Sequence, residues 1–565
     1  MLINGAQAVI ESLKKEEVRV VFGYPGGAVL TLYDELYKMN FPHILTRHEQ
    51  GAVHAADGYA RATGQVGVCF ATSGPGATNL VTGIATANMD SVPLVCITGQ
   101  VANPFIGKDS FQEADMCGIT TPITKHNYLV KKAEELPRIL KEAFFIARTG
   151  RPGPVVIDVA KDVFAAEIEY EYPETVNLRG YTGNFSGDSK EVDAAVNAVL
   201  QAKKPLFFIG GGAIIADSAE FLETICRHGA IPVVHSLMGL GAVPASCPGN
   251  LGMVGMHGSY AANMAVMECD LLVGIGVRFD DRVAGVTEHF APHAKIVHFD
   301  VDPAEINKNV LVDYRVCGDL RWSVPLFAKG LAAGWKDQTE PLASWREHLL
   351  ALENEYPFAY KERKDCILPQ QVIETVNALA EEDALVVTDV GQHQMWTAQF
   401  YKFNGPRRFM TSGGLGTMGY GLPAALGARL GQPAKQVLLF TGDGSIMMNC
   451  QEFATIADYD IPVKVIVLHN HVLGMVTQWQ RMFYGERYSE SELNGKTDFV
   501  KLAEAMGVRG FRISRPEDLV PVLQEALAYE GAVLVDVMVP AVEDVLPMVP
   551  GGKRLDQMVL GDWAE

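Results

Sequence analysis

Residues 436–475 read QVLLFTGDGSIMMNCQEFATIADYDIPVKVIVLHNHVLGM. An apolar, β-rich run (QVLLFT) stops at Gly442-Asp443-Gly444-Ser445, a segment of helical period follows (NCQEFATIADYD), and a second β-rich run (VKVIVLHN) ends at Asn470. Strand, helix and strand in that order form a right-handed βαβ unit, whose two strand ends lie on the same edge of the sheet. The spacing therefore predicts that Asp443 and Asn470, 27 positions apart, come together. One carboxylate with amide and carbonyl oxygens suits a hard cation that keeps part of its shell for water or phosphate. The flanking glycines let backbone N–H groups approach a diphosphate at a helix N-terminus.

The same alternation extends outward. DALVVTDVGQHQ, QVLLFTGDGS, VKVIVLHNH and GAVLVDVMVP make one block, expected over 365–540. VRVVFGYPGG, VGVCFATSGPG, VPLVCITGQ and GPVVIDVAKD make another over 1–165. KPLFFIGGGA, AIPVVHSL, CDLLVGIGVRFDD and KIVHFDVDP make a third over 189–335. Each run reads as a buried strand ending in a polar or glycine-rich turn, so the expected fold is α/β, three doubly wound parallel-sheet domains. The acidic stretch 165–188 reads as a linker, and 541–565 as a C-terminal tail.

Composition limits the function classes. The 565 residues are 48% hydrophobic and 20% charged, which excludes extended disorder, and the net charge of −20 argues against a nucleic-acid partner. Nine cysteines fall without paired spacing, so neither a disulfide framework nor a zinc site is expected. The N-terminal MLINGAQAVIESLKKEEV reads as an amphipathic helix and not a secretory signal, and runs such as LLVGIGV are too short to span a bilayer. A cytoplasmic protein with a reduced interior is the expectation.

Two further features need weighing. Arg47-His48-Glu49-Gln50 opens a helix, and an isolated Glu49 there would ordinarily be a solvated carboxylate favoured by the helix dipole. His48-Glu49 also begins an apparent HExxH, but residue 52 is Ala52, so the zinc reading fails. Gly414-Leu415-Gly416-Thr417-Met418-Gly419 matches GxGxxG, yet the preceding RRFMTSG is a poor strand, which disfavours a nicotinamide site.

GDG followed by Asn470 resembles the thiamine-diphosphate (ThDP) motif; where that motif commonly ends in two asparagines, the first here is His469. The likeness extends over nearly the whole chain to the acetohydroxyacid synthase (acetolactate synthase) family, through FGYPGGA (22–28), RHEQGA (47–52), ATSGPGATN (71–79), ITGQV (97–101), GRPGPVVIDVAKD (150–162), RFDDRV (278–283), GLGTMG (414–419) and LGMVTQWQ (473–480). The resemblance implies decarboxylation of pyruvate and ligation to a second pyruvate or to 2-ketobutyrate, giving 2-acetolactate or 2-aceto-2-hydroxybutyrate for branched-chain amino-acid synthesis. It implies ThDP, Mg²⁺ and FAD as cofactors.

By the same resemblance, Glu49 contacts N1′ of the ThDP aminopyrimidine and Pro25 also meets ThDP, while Gly26, Gly27 and Gln100 line the reaction space, with catalytic Lys161 near the substrate entrance beside Phe111. Gly391, Gln392, His393, Gly416, Met418, Leu473, Gly474 and Met475 join Gly442, Asp443, Gly444, Ser445 and Asn470 around ThDP, and the Val472 backbone oxygen becomes a third metal ligand. Phe111, Met448, Met475 and Trp479 would meet substrate, with Trp479 biasing the acceptor. Arg151, Gly210, Gly211, Gly212, His257, Gly258, Gly276, Arg278, Asp300, Val301, Ile306 and Asp319 would hold FAD in a structural role, which separates the chain from flavin-free catabolic relatives. Glu49 separates it from glyoxylate carboligase. The resemblance further implies a homodimer or homotetramer with sites between chains, a tail closing over the site, and in many members a separate small regulatory subunit. A ThDP decarboxylase or oxidase, and a flavoprotein scaffold without chemistry, are the competing readings.

Overall fold

The computed structural model describes residues 1–183, 185–229, 231–334 and 342–561. Trp335, the expected end of the central domain, and tail residues 562–565 lie outside them. Three six-stranded sheets form, parallel throughout, as the sequence pattern predicts. The first orders its strands His43–Leu45, Val21–Gly23, Gly67–Ala71, Leu94–Gln100, Pro154–Ala160, His126–Val130. The third orders Phe409–Met410, Leu385–Thr388, Val437–Gly442, Val463–His469, Val533–Met538, Arg509–Ile513. Numbered along each domain, both run 2-1-3-4-6-5, so the first and third domains share one topology. The central sheet runs Asn250–Met253, Val233–His235, Pro205–Ile209, Leu271–Ile275, Lys295–Asp300, Tyr314–Cys317, the 3-2-1-4-5-6 order of a doubly wound nucleotide-binding fold.

The first and last parts of the N-terminal domain differ from the sequence reading. Leu2–Asn4 is a strand that pairs antiparallel with Glu167–Glu169, so the N-terminus begins before its helix (Gly5–Lys15) and the expected linker is partly tied to the first domain. The pairing satisfies backbone groups that composition alone assigned to solvent. Helix Leu320–Gly334 closes the central domain, burying Val324, Phe327 and Leu331 in its core.

The first and third domains meet through two helices, Glu49–Thr63 and Gly421–Gly431. Their backbones cross closely: a Cβ on Gly58 would lie 2.0 Å from the Ala424 carbonyl oxygen, and one on Gly427 1.8 Å from that of Ala55. Beside the crossing, buried Asp57 accepts from Arg61 (2.6 Å) and Tyr420 (2.7 Å), while Arg61 also reaches Asp90 at 2.9 Å. Asp90 in turn accepts from the backbone of Gly413 and Gly414. Gly414, the first glycine of the GxGxxG stretch, thus gives its N–H to Asp90. No helix among the described residues is long and apolar enough to cross a membrane.

Candidate active site

In the third domain the strand order reverses between Leu385–Thr388 and Val437–Gly442, which opens a crevice at their carboxyl ends. A cavity of about 70 Å³ sits there, lined by Gly391, Gln392, His393, Met418, Gly442, Asp443, Gly444, Ser445, Asn470, Val472, Leu473, Gly474 and Met475, among others. Val437–Gly442 and Val463–His469 are direct parallel neighbours with Gly442 opposite Leu468, which places Asp443 and Asn470 together at one edge. Three helices begin at this cavity: Gln392–Phe400, Asp443–Ile446 and Gly474–Phe483. Their N-terminal ends converge on it as a common anion cradle.

The cradle is held tightly. A Cβ on Gly444 would lie 2.7 Å from Leu473, and one on Gly474 2.0 Å from Gln392 Oε1. Burial pushes the His393 imidazole down to about 3, so it is neutral at pH 7, and its Nε2 has no partner among the described residues. Gln392 Oε1 is likewise unpartnered, whereas its Nε2 donates to Gln478 Oε1 (2.9 Å) and to the Glu543 carbonyl (2.8 Å). Burial raises the Asp443 carboxyl to about 6, opposed by nearby His469 and backbone donors; His471 N donates to it at 2.8 Å and Gly444 N at 3.1 Å. Orphaned polar atoms, convergent helix starts and a carboxylate beside an amide fit a metal-bound diphosphate.

The N-terminal residues gather at the corresponding edge of the first sheet. Pro25, Gly26 and Gly27 follow strand Val21–Gly23, and a Cβ on Gly26 would lie 2.5 Å from Thr72. Gln100 ends strand Leu94–Gln100, its amide donating to Asp158 at 2.9 Å, and burial raises Asp158 to about 7. Glu49 opens its helix half-buried, with Asn79 donating to its Oε2 at 3.0 Å. Lys161, at the end of strand Pro154–Ala160, is exposed, and Phe111 is 89% exposed. None of these lines the third-domain cavity. Met448 is half exposed, and Trp479 lies on the helix beyond the cavity wall, edge-on to Phe483 at 5.5 Å. Gly416 adopts φ +70° in the loop leading to Met418.

In the central domain the switch point lies between Pro205–Ile209 and Leu271–Ile275. Gly210 and Gly276 follow these strands, and a Cβ on Gly210 would lie 2.1 Å from the Gly276 oxygen, so close backbone approach fixes these glycines. Gly211 and Gly212 open the next helix (Gly211–Ile215). Asp300 ends the neighbouring strand, raised to about 7 by burial, with Val301 after it. Arg151 bonds Glu305 (2.7 Å) and Ser91 (2.9 Å), next to Ile306; Arg278 donates to the Met89 carbonyl; Asp319 caps the turn into its helix. His257, beside Gly258, is buried with Nδ1 unpartnered. Glycine turns in close backbone contact at a switch point, beside a buried acid, fit a nucleotide.

The C-terminal tail packs against the third-domain cavity. Gln478 holds Val545 through both its N–H and carbonyl, Val549 N donates to the Met256 carbonyl at 2.8 Å, and Arg481 pairs with Asp544. Four polar residues received no role from the sequence: Asn79, Gln478, His471 and Asp536. Asn79 and Gln478 lie within the family-like stretches 71–79 and 473–480, and His471 follows Asn470 directly, whereas nothing in the sequence marks Asp536.

Three family models cover most of the chain: thiamine pyrophosphate enzyme N-terminal TPP binding domain at 3–119, central domain at 192–326, and C-terminal TPP binding domain at 389–537. The large subunit of acetolactate synthase from Haemophilus influenzae is 48% identical over 563 residues, 99% of this chain and 98% of that protein. The chain belongs to the acetolactate synthase large-subunit family. The probable large subunit from Methanocaldococcus jannaschii is 48% identical across 99% of the chain and 95% of that protein. The large subunit from Mycobacterium tuberculosis is 48% identical across 98% and 91%. Membership makes the chain a thiamine-pyrophosphate enzyme and a carboligase, not a nicotinamide dehydrogenase or an inert scaffold.

Proposed function

We propose that the chain decarboxylates pyruvate and joins the remaining two-carbon unit to pyruvate or 2-ketobutyrate, at a site completed by a second copy of the chain. The observation that carries this reading is the cradle of three helix starts with Asp443 and Asn470 at its edge. Asp443, Asn470 and the Val472 carbonyl would hold Mg²⁺, and the N–H groups of residues 391–393, Ser445, Gly474 and Met475 would bind the diphosphate, with neutral His393 adding an Nε2 donor. Thiamine diphosphate, when bound, supplies a stabilised carbanion and an electron sink. Glu49, oriented by Asn79, would hold the proton at the aminopyrimidine N1′.

Because Glu49 lies outside the cavity of its own chain, it would serve a partner's cradle. Exposed Leu415, Met447, Met448 and Val476 around the third-domain edge, and Phe105 and Phe111 in the first domain, support an apolar meeting surface. The tail's contacts with Gln392 and Gln478 would exclude water that otherwise intercepts the two-carbon unit. Gly210, Gly276, Asp300 and His257 would seat FAD, whose role is structural since the net reaction is redox-neutral. The relatives' "large subunit" names support a separate small regulatory partner.

Reconstitution tests the reading. Stripped protein regains acetolactate formation from pyruvate only when ThDP, Mg²⁺ and FAD are all restored. Turnover without ThDP overturns the reading as a whole; turnover without FAD overturns the flavin assignment alone.

A further inference from the structure

Asp443, His469 and His471 form a group whose ligating atoms all lie within 4.8 Å of one another. His469 Nε2 lies 3.0 Å from His471 Nδ1 and 3.7 Å from Asp443 Oδ2. A divalent transition ion with bonds of about 2.0–2.2 Å sets its ligand atoms roughly 3–3.6 Å apart, so two edges of a coordination polyhedron are already in place. We propose that Asp443, His469 and His471 form a transition-metal site of one carboxylate and two imidazoles, selective for the Zn²⁺ and Co²⁺ class and distinct from the Mg²⁺ position.

Three observations support a built site. Asp536 Oδ1 lies 2.9 Å from His469 Nδ1, so the carboxylate fixes the N–H there and leaves the Nε2 lone pair facing His471 and Asp443. A carboxylate behind a ligating imidazole is the common outer-shell arrangement for such metals, and Arg512 anchors the other oxygen of Asp536 at 3.1 Å. His471 takes φ +62°, a left-handed conformation that turns its ring back toward His469, with ring centroids 4.1 Å apart. Gly495 makes room for that ring, since a Cβ there would lie 3.0 Å from His471 Nδ1.

The chemistry distinguishes this position from its neighbour. Mg²⁺ takes oxygen ligands, which Asp443 and Asn470 offer, whereas imidazole favours Zn²⁺, Co²⁺ and related ions. Asp443 has two oxygens, and Oδ2 is the one 3.7 Å from His469. Half-buried His471 gives the ion an entry path, while Asp443 and His469 are buried. Without metal, the His471–His469 contact is a hydrogen bond; an ion at this place takes both lone pairs, with the His471 proton moving to Nε2. The proposal rests on these three side chains and not on the cofactor reading.

The test is Co²⁺ titration of the metal-free full-length protein, without ThDP or Mg²⁺, followed by its visible ligand-field absorption and by metal analysis after desalting. The expected result is one Co²⁺ per chain, displaced by Zn²⁺ but not by excess Mg²⁺, and bound at least tenfold more weakly in both His469→Asn and His471→Gln. Circular dichroism reports folding, and half-exposed His471 is the safer substitution. No absorption band in the parent, or an unchanged Co²⁺ affinity in His471→Gln, overturns the site and shows a hydrogen-bonded pair only. ThDP binding with Mg²⁺, measured on the same parent, separates failure here from failure of the cofactor reading.

Discussion

Gly474→Ala probes the cradle and the tail together. The new Cβ would lie 2.0 Å from Gln392 Oε1 and 2.9 Å from Asn470 Nδ2, so the Gln392 amide must move. That amide is fixed by hydrogen bonds to Gln478 at 2.9 Å and to the Glu543 carbonyl at 2.8 Å. At about 0.5–1.5 kcal/mol per net hydrogen bond, losing both costs about 1–3 kcal/mol. If that cost falls on the cofactor-bound form, ThDP binds about 5- to 150-fold more weakly. Releasing Glu543 also loosens the tail where Val545 rests on Gln478. Calorimetric titration of ThDP with Mg²⁺ reads the first effect, and limited proteolysis around residue 545 the second. A dissociation constant within twofold of the parent, with the tail equally protected, refutes the argument that Gln392 links cradle and tail.

His54 is fully buried, edge-on to Tyr420, and burial holds it down to about 3. Its folded value lies below the unfolded one, so between them the unfolded chain binds the extra proton and stability falls as pH falls. At pH 5 this costs about 2 kcal/mol, and His54→Phe narrows the difference in melting temperature between pH 7 and pH 5; equal pH slopes contradict it. Trp479→Ala brings the product ratio from mixed pyruvate and 2-ketobutyrate close to that of random use while acetolactate still forms, because a methylene preference is worth only about 1–3 kcal/mol; an unchanged ratio removes Trp479 from the acceptor pocket. Co-expressed Glu49→Gln and Asp443→Asn chains, each inactive alone, recover roughly one quarter of parent activity, since half of randomly paired dimers are mixed and each mixed dimer has one intact site. No recovery places both residues in one chain's site.

Three parallel-sheet domains were legible because buried parallel strands read as short apolar runs with glycine-rich exits. The Asp443–Asn470 approach followed from strand adjacency alone, and Gly442 opposite Leu468 realises it. What could not be read were contacts between remote segments. The pairing of Leu2–Asn4 with Glu167–Glu169 joins two stretches lacking a strand pattern of their own. The Gly58–Gly427 crossing depends on two helices whose sequences give no sign of each other. Asp536 lies 67 positions from His469, and only the parallel pairing of their strands, His469 opposite Met538, brings them together. Asn79 was quoted within a motif, but its bond to Glu49 depends on how the loop after strand Gly67–Ala71 folds back.

The central claim is carboligation, and product identity from pyruvate alone tests it most directly. With ThDP, Mg²⁺ and FAD present, 2-acetolactate and carbon dioxide form in equal amounts, acetaldehyde stays minor, and Glu49→Gln abolishes both products. Acetaldehyde or acetyl phosphate as the main product, or acetolactate undiminished in Glu49→Gln, contradicts the account.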